Sequence, residues 1–279
     1  MMSSTDSARS PRQAVPWALV TGGAARLGRE VCLAFAEAGW GVVIHYRSSQ
    51  QAAAALAQEL QAKGSPVEQV RADLADPAAV DALLPSLPTA VLAQLQCIVH
   101  NASEFVEDDG WTYTADGLQR HLQTNLLAPL RLTQAFAAQA RRRAAGAQAP
   151  AADIPCVVHI LDQKVHNLNP DYFTYTLSKL ALERAVGLQA QAYAPWLRVC
   201  GVSPGLSYVS GPQTLDNFER ARRVNLLRRP LEPADIARTV VHVARTPGIN
   251  GCVIPVDNGQ HRLGLARDVM FALDLGLAP

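Results

Sequence analysis

The sequence predicts an α/β fold, a single domain built on a doubly wound, parallel, seven-stranded sheet with helices on both faces. Seven short apolar runs alternate along the chain with six longer helical patterns, which is typical of a buried parallel sheet. A glycine-rich turn follows the first apolar run and opens the first helical pattern. No internal repeat divides the 279 residues into two similar domains.

Each apolar run predicts one strand, and the helical patterns predict the connections between strands. The predicted strands are residues 17–21, 41–46, 67–72, 97–100, 155–161, 197–202 and 252–255. The predicted helices are residues 27–38, 50–63, 77–84, 114–143, 172–193 and 233–244. Residues 206–230 interrupt the alternation directly after the sixth strand. Because open α/β sheets bind ligands at the C-terminal ends of their strands, we predict that this excursion is a substrate lid.

The two ends of the chain differ in character from the alternating part. Residues 1–15 are rich in Ser, Arg and Pro and contain no apolar stretch, which predicts a disordered segment before a domain spanning residues 16–279. Residues 262–279 instead carry many apolar side chains. We expect this tail to pack, either on its own subunit or on a neighbouring one.

Composition excludes several classes of function. With 49% apolar residues and a formal net charge of +1, the chain gives no reason to expect nucleic acid or an anionic membrane as a partner. No apolar stretch approaches the roughly 20 residues that cross a bilayer. The five cysteines and seven histidines are scattered without paired spacing, which predicts free thiols, no metal site and a cytoplasmic protein.

The glycine-rich turn, T-G-G-A-A-R-L-G at residues 21–28, predicts a dinucleotide site, because its backbone amides can approach a pyrophosphate at a helix N-terminus. The second strand then ends in H-Y-R-S-S, without the carboxylate that usually binds the ribose of NAD. Arg47, Ser48 and Arg26 are predicted to bind a 2′-phosphate instead, which favours NADPH. The alternative is that Arg47 is an ordinary surface cation.

Tyr175 and Lys179 are four positions apart, so on a helix the phenol and the ammonium share one face. An ammonium beside a phenol favours the phenolate, so we expect Lys179 to lower the pKa of Tyr175 and make it a proton donor. Asp162 ends an apolar strand thirteen positions before Tyr175. Its carboxyl group can relay a proton; the alternative is a structural cap on the following loop.

Taken together, these motifs resemble the short-chain dehydrogenase/reductase family over about residues 15–261. Within it, the chain resembles the pteridine reductase branch in four places: T-G-x-x-x-R-x-G at residues 21–28, N-A-S-x-F at 101–105, Asp162 where the family usually has Ser, and P-G-L-S at 204–207. The resemblance implies a Rossmann-type homotetramer that reduces dihydropteridines, with a pterin or folate as substrate and NADPH as cofactor. Hydride would reach a C=N carbon and Tyr175 would protonate the nitrogen.

The resemblance also implies roles for individual residues. The predicted cofactor contacts are Thr21, Gly22, Arg26, Leu27, Gly28, His45, Tyr46, Arg47, Ser48, Asp73, Leu74, Asn101, Ala102, Ser103, Tyr175, Lys179, Pro204, Gly205 and Ser207. The predicted substrate contacts are Arg26, Ser103, Phe105, Asp162, Tyr175, Gly205 and Leu206, with Phe105 stacking on the pterin ring. The catalytic set is Asp162, Tyr175, Lys179 and Asn125, the last bending a helix to hold a lysine-linked water.

Two other functions fit part of the pattern. A generic carbonyl reductase would use the same residues, with Asp162 merely replacing the hydrogen bond of a serine. A dinucleotide-binding sensor without catalysis would need only the glycine-rich turn. Asn125, in turn, could be a simple amide on a helix face. We also expect subunits to associate through the long helices at residues 114–143 and 172–193, which are apolar on more than one face.

Overall fold

Seven parallel strands form the centre of the molecule in the computed structural model, which describes residues 15–145 and 154–277. The strands are β1 Trp17–Val20, β2 Gly41–Tyr46, β3 Val67–Arg71, β4 Leu95–His100, β5 Cys156–Ile160, β6 Arg198–Pro204 and β7 Val253–Val256. Their spatial order is β3-β2-β1-β4-β5-β6-β7. The predicted fold class is therefore confirmed, with the strand order reversing between β1 and β4, where such sheets place a ligand crevice.

Ten α-helices connect and cover the strands in the described part of the chain. They are α1 Arg26–Glu37, α2 Gln50–Ala62, α3 Pro77–Leu83, α4 Thr89–Ala93, α5 Ala115–Leu122, α6 Ala128–Ala145, α7 Phe173–Tyr193, α8 Leu215–Ala221, α9 Pro233–Arg245 and α10 Val269–Asp274. Every predicted helix is present, but the predicted helix at 114–143 is split. A π-turn at Gln123–Leu127 separates α5 from α6. Three short helices, α4, α8 and α10, were not predicted.

The central strands are buried on both faces, as their nearly continuous apolar sequences predict. Successive residues point to opposite sides of the sheet. Val20 and Ile44 belong to the core beneath α1 and α9, whereas Leu19 and Val43 belong to the core on the side of α3 and α6. The alternation shows that helices cover both faces of the sheet, which leaves the ends of the strands as the place for a site.

The predicted lid and the apolar tail pack against each other. Helix α8 lies within the lid, and α10 lies within the C-terminal segment, residues 263–277. Ala221 and Val224 form a small apolar cluster with Leu265 and Val269. The Nδ2 atom of Asn217 donates to the carbonyl of Met270 at 3.0 Å. The tail therefore packs on its own subunit.

Some predictions concern residues outside the described ranges. The predicted disorder covers residues 1–15, of which residues 1–14 lie outside the described part of the chain. None of the helices in the described part has the length and apolarity that a membrane crossing requires.

Candidate active site

A cavity of about 510 Å³ lies at the C-terminal ends of strands β1 to β6. Its walls contain nearly all the residues predicted from the sequence to form the cofactor, substrate and catalytic sites. The exceptions are Thr21 and Asn125, which lie behind the wall. The cavity also receives residues from the C-terminal segment, which the sequence did not indicate as part of a site.

The glycine-rich turn is held open by its backbone and by His45. Gly22 has a φ of +64°, in the left-handed region that favours glycine. A Cβ on Gly28 would collide with the carbonyl oxygen of Gly22. The first turn of α1 can therefore pack this closely against the glycine-rich turn only with glycine at position 28. The amide of Gly22 donates to His45 Nδ1 at 3.0 Å, and His45 Nε2 donates to the carbonyl of Ala72 at 3.2 Å. These partners require neutral His45, and burial lowers its pKa to about 4.

Thr21 and Asn101 join the ends of β1 and β4. Thr21 Oγ1 accepts from the amides of Asn101 at 2.9 Å and Ala102 at 3.1 Å. Asn101 Nδ2 donates to the carbonyls of Thr21 at 3.0 Å and Gly22 at 3.2 Å. The buried hydroxyl of Thr21 is used within the protein, so the predicted cofactor contact of Thr21 stays a prediction. Thr21 fixes the turn from behind, while Asn101 and Ala102 face the cavity.

The end of β2 carries a cation with an unexpected partner. Arg47 is 59% exposed, and its Nη1 lies 3.8 Å from Oε2 of Glu104. No carboxylate follows β2 itself, as the sequence indicated, but Glu104 reaches the same place from the loop after β4. Sequence reasoning missed Glu104 because the two residues are distant in the chain. A 2′-phosphate and Glu104 would compete for Arg47.

Arg26 connects the glycine-rich turn to the lid. Its backbone φ of 50° lies in the left-handed region, which favours glycine over residues with a side chain. Its Nη2 donates to the carbonyl of Val209 at 2.7 Å, and its guanidinium lies over the ring of Tyr208, 5.3 Å from the centroid. Arg26 lines the cavity as predicted, and here its charge is directed to the lid.

Asp162 directly contacts the predicted proton donor. It follows β5, and Tyr175 Oη donates to its Oδ2 at 2.9 Å. Its Oδ1 accepts from the amide of Lys164 at 2.9 Å, which caps a short 3₁₀ turn at Gln163–Val165. The hydroxyl of Ser203 donates to its carbonyl at 2.8 Å. Asp162 is therefore both a cap on the following loop and a hydrogen-bond partner of Tyr175, while its role as a proton relay stays a prediction.

Lys179 lies beside Tyr175, but a strand-end carbonyl binds its ammonium, so its predicted effect on the pKa of Tyr175 stays a prediction. Its Nζ donates to the carbonyl of Ile160 at 2.8 Å and lies 5.7 Å from the centroid of the Tyr175 ring. Burial lowers the pKa of Lys179 to about 8, opposed by the charge of Asp162. Burial and the neighbouring Asp162 raise the pKa of Tyr175 well above its usual value. Tyr175 therefore holds its proton and is available as a donor.

Asn125 clamps the loop after β4. Its Oδ1 accepts from the amide of Glu104 at 2.8 Å and from the hydroxyl of Ser103 at 3.3 Å. Its Nδ2 donates to the carbonyl of Glu104 and to Ser178 Oγ, both at 3.0 Å. The residue lies in the π-turn, where the regular α-helical hydrogen bonding is interrupted. Its side chain is used within the protein, so a water held at this place would bind the backbone of the helix, and the predicted lysine-linked water stays a prediction.

Phe105 stands in a column of aromatic rings beside Tyr175. It stacks on Tyr172 with centroids 4.3 Å apart and meets Tyr175 edge-on at 4.6 Å. Phe271 from α10 stacks on Tyr172 at 6.2 Å. Phe105 lines the cavity as predicted, but part of its ring surface is already covered by its own chain.

Several lining residues were missed. Leu206 donates its amide to Oε1 of Gln260 at 2.9 Å, which brings the segment after β7 to the cavity. Lys164 could have been predicted to line the site, because it is a charged residue only two positions after Asp162. Asp268 and Val269 had no such signal, because the tail lies far along the chain from the motifs. The remaining residues that were not predicted include Gln163, Tyr208 and Ser210.

Comparison with known proteins agrees with this geometry. A short-chain dehydrogenase/reductase family model described as enoyl-(acyl carrier protein) reductase matches residues 23–261. Pteridine reductase 1 of Leishmania tarentolae is 29% identical over 281 residues, covering 88% of this chain and 96% of the relative. Dihydromonapterin reductase of Escherichia coli (strain SMS-3-5 / SECEC) is 26% identical over 247 residues, covering 87% and 95%.

A solved structure gives a similar result. FolM alternative dihydrofolate reductase 1 from Brucella canis, complexed with NADP, superimposes with a TM-score of 0.79. It is 32% identical, and the match covers 89% of this chain and 95% of that one. Among residues 15–145 and 154–277, no group of His, Cys, Asp or Glu side chains is arranged to hold a metal ion. The family model and these relatives show that the chain is an oxidoreductase that belongs to the short-chain dehydrogenase/reductase family.

Proposed function

We propose that the protein reduces a dihydropteridine, either a biopterin- or monapterin-like pterin or dihydrofolate, with NADPH as cofactor and Tyr175 as proton donor. The observation that carries the proposal is the hydrogen bond from Tyr175 Oη to Asp162 Oδ2 at 2.9 Å. A carboxyl group in this place can return a proton to the phenol, whereas a hydroxyl mainly accepts and donates a hydrogen bond.

The cofactor end of the cavity supports NADPH. The glycine-rich turn presents backbone amides at the start of α1, and Gly28 allows the backbone to approach closely. Arg47 and Ser48 line the place where a 2′-phosphate would lie, and the solved relative from Brucella canis contains NADP. When bound, NADPH supplies the hydride. Asp73, Leu74 and Asn101 to Ser103 would surround the adenosine and the riboses.

The catalytic end supports the transfer of a proton. The substrate C=N carbon accepts the hydride and its nitrogen accepts one proton from Tyr175, so the double bond becomes a single C–N bond. Burial raises the pKa of Asp162, so this carboxyl can carry the proton that reprotonates Tyr175. Lys179, held at the carbonyl of Ile160, keeps a positive charge close to the developing phenolate.

The substrate class is supported by the shape of the cavity and by the relatives. Phe105 and Ser103 line it beside Tyr175, and a flat pteridine offers both an aromatic face and hydrogen-bonding edges. Pteridine reductase 1 and dihydromonapterin reductase are among the curated relatives. The main competitor is a generic carbonyl reductase, since Asp162 also caps the loop as a purely structural residue would.

We further propose that the enzyme is a homotetramer whose subunits meet through α7 and through the segment formed by α5, the π-turn and α6. Leu127, Leu177 and Leu188 support this proposal, because they remain exposed on these elements although they are large and apolar. Sedimentation at micromolar concentration is the test. A stable monomer would reject the association.

Turnover should be measured as NADPH oxidation with dihydrobiopterin, dihydrofolate and a panel of small ketones and aldehydes, side by side. We expect the dihydropteridines to give the highest kcat/KM. Higher kcat/KM on the carbonyl panel would replace the proposal with the carbonyl reductase. No turnover of any substrate, with NADPH still bound, would favour the sensor.

A further inference from the structure

A charge pair in the cavity wall has no part in the mechanism given above. Lys164 Nζ lies 2.8 Å from Asp268 Oδ2, and the side chains are only 3% and 17% exposed. Both residues line the cavity. Lys164 follows Asp162 by two positions, whereas Asp268 comes from the C-terminal segment. The pair therefore connects the tail of the chain to the residues around the proposed proton donor.

Lys164 holds Asp162 through its backbone and the tail through its side chain. Its amide donates to Asp162 Oδ1, which leaves Oδ2 for Tyr175. Its Nζ donates to Asn169 Oδ1 at 2.8 Å as well as to Asp268. A lysine that is buried needs such partners to remain charged. The charge of Lys164 is thus fixed in the cavity wall by Asn169 and Asp268.

Asp268 is fixed as firmly as its partner. Its Oδ1 accepts from the amide of Met270 at 3.1 Å and so caps α10, while its own amide donates to Asp171 Oδ2 at 2.6 Å. Arg267 donates to both oxygens of Asp171, with Nε at 2.9 Å from each. The helix cap holds the carboxylate of Asp268 beside Lys164, whereas Arg267 and Asp171 form a separate ion pair of the tail.

We propose that Lys164 is a positioning residue of the active site, which orients Asp162 toward Tyr175 and sets the charge it carries, with Asp268 as its counter-ion. The C-terminal segment then lines the cavity and also provides the carboxylate that balances the charge of Lys164. This inference rests on the proposed role of the Asp162–Tyr175 pair in protonating the substrate.

The charges around Asp162 determine the direction of each expected effect. Lys164 from the 3₁₀ turn and Lys179 from α7 both lower the pKa of Asp162, whereas burial raises it. Asp268 from the tail and Asp162 itself both raise the pKa of Tyr175. Removing the charge of Lys164 should therefore raise the pKa of the pair. Removing the charge of Asp268 should lower it, because Lys164 is then uncompensated and Tyr175 loses a neighbouring anion.

The test is the pH profile of kcat/KM for Lys164→Met, Asp268→Asn and the double variant, with the best substrate of the panel. We expect the apparent pKa of the Asp162–Tyr175 pair to move up in Lys164→Met and down in Asp268→Asn, each by about one pH unit. The double variant should return toward the original protein. Shifts in the same direction, or no shift, would overturn the proposal and leave a purely structural latch.

The matched control is Arg267→Met, which breaks the other ion pair of the tail. It should lower thermal stability while leaving the apparent pKa in place; a shift like that of Asp268→Asn would also overturn the proposal. Asp268→Asn keeps a side chain that caps α10, so it carries the test even if Lys164→Met does not fold. The profile can be recorded on a ketone if pteridines are not turned over, so failure of the substrate assignment is distinguishable from failure of this inference.

Discussion

The two ends of the cavity are built from different kinds of contact. At the cofactor end, Thr21, His45 and Asn101 hold the glycine-rich turn through neutral hydrogen bonds to the backbone. At the catalytic end, buried ionisable groups face one another, with Tyr175 donating to Asp162. The first end provides a rigid shape held by groups that are neutral near pH 7. The second end holds charges whose balance determines whether a proton can move.

The largest expected effect is at the catalytic end, in Tyr175→Phe. The variant keeps the aromatic column but has no proton to donate, so kcat should fall by roughly 10²–10⁴-fold, the usual contribution of a general acid. NADPH binding, followed by its fluorescence, should change little because the glycine-rich turn and Arg47 are untouched. Retained turnover would show that another group protonates the substrate.

Asp162→Ser tests whether the carboxyl group is more than a hydrogen-bond partner. If Asp162 relays protons, kcat on dihydropteridines should fall by roughly 10–1000-fold. Small carbonyl substrates should suffer less, because Tyr175 alone can protonate an alkoxide. Parallel turnover assays and a thermal melt separate these outcomes. Unchanged pteridine turnover would reduce Asp162 to a loop cap and remove the main support for the substrate class.

Arg47→Asp tests the charged part of the cofactor end. A charge-assisted phosphate contact is worth roughly 1.5–3 kcal/mol, so losing it and adding repulsion should reverse the preference for NADPH over NADH. The measurement is kcat/KM for both cofactors. Glu104→Gln is the matched control, because it removes the competing carboxylate near Arg47 and should strengthen NADPH binding. Equal kcat/KM for the two cofactors in the original protein would contradict the assignment.

Acid should weaken the fold through histidines that are buried in the neutral state. Burial lowers the pKa of both His45 and His159 from 6.5 to about 4. The unfolded chain therefore binds more protons between these values, so stability is fully present above about pH 6.5 and is lost as the pH falls toward 4.

Urea unfolding at pH 7 and pH 5 should show the smallest of these effects, a modest loss of free energy of unfolding at pH 5. His159→Gln, which can still donate to Gln189, should show a shallower dependence on pH. An equal pH dependence in this variant would mean that other groups dominate.

Local patterns predicted much of the structure. The spacing of Tyr175 and Lys179 places both on one face of α7, and the apolar runs located all seven strands. Spacing does not determine where the ammonium of Lys179 points. It donates a hydrogen bond to the carbonyl of Ile160 at the end of β5. The break in the predicted helix at 114–143 depends on contacts of Asn125 with Glu104 and Ser178, which are distant in the chain.

The C-terminal part of the site could not be predicted for the same reason. Helices α8 and α10 contain only 7 and 6 residues, too few for a clear periodic pattern. The pairing of Lys164 with Asp268 joins residues 104 positions apart, and no local signal marks either one as a partner. Short helices and ion pairs between residues distant in the chain thus form the part of the cavity that sequence patterns predict least.

The two hydrogen bonds of Asp162 also constrain how such a site can evolve. One carboxylate oxygen serves Tyr175 and the other serves the amide of Lys164. A serine has a single oxygen, so it cannot take over both hydrogen bonds in their present geometry. An ancestral exchange between the serine and aspartate forms would therefore pass through an intermediate that lacks one of the two hydrogen bonds, the loop cap or the bond to the tyrosine. A change of the following loop in the same lineage would avoid this loss. The cap on the loop and the identity of the acid are expected to be inherited together.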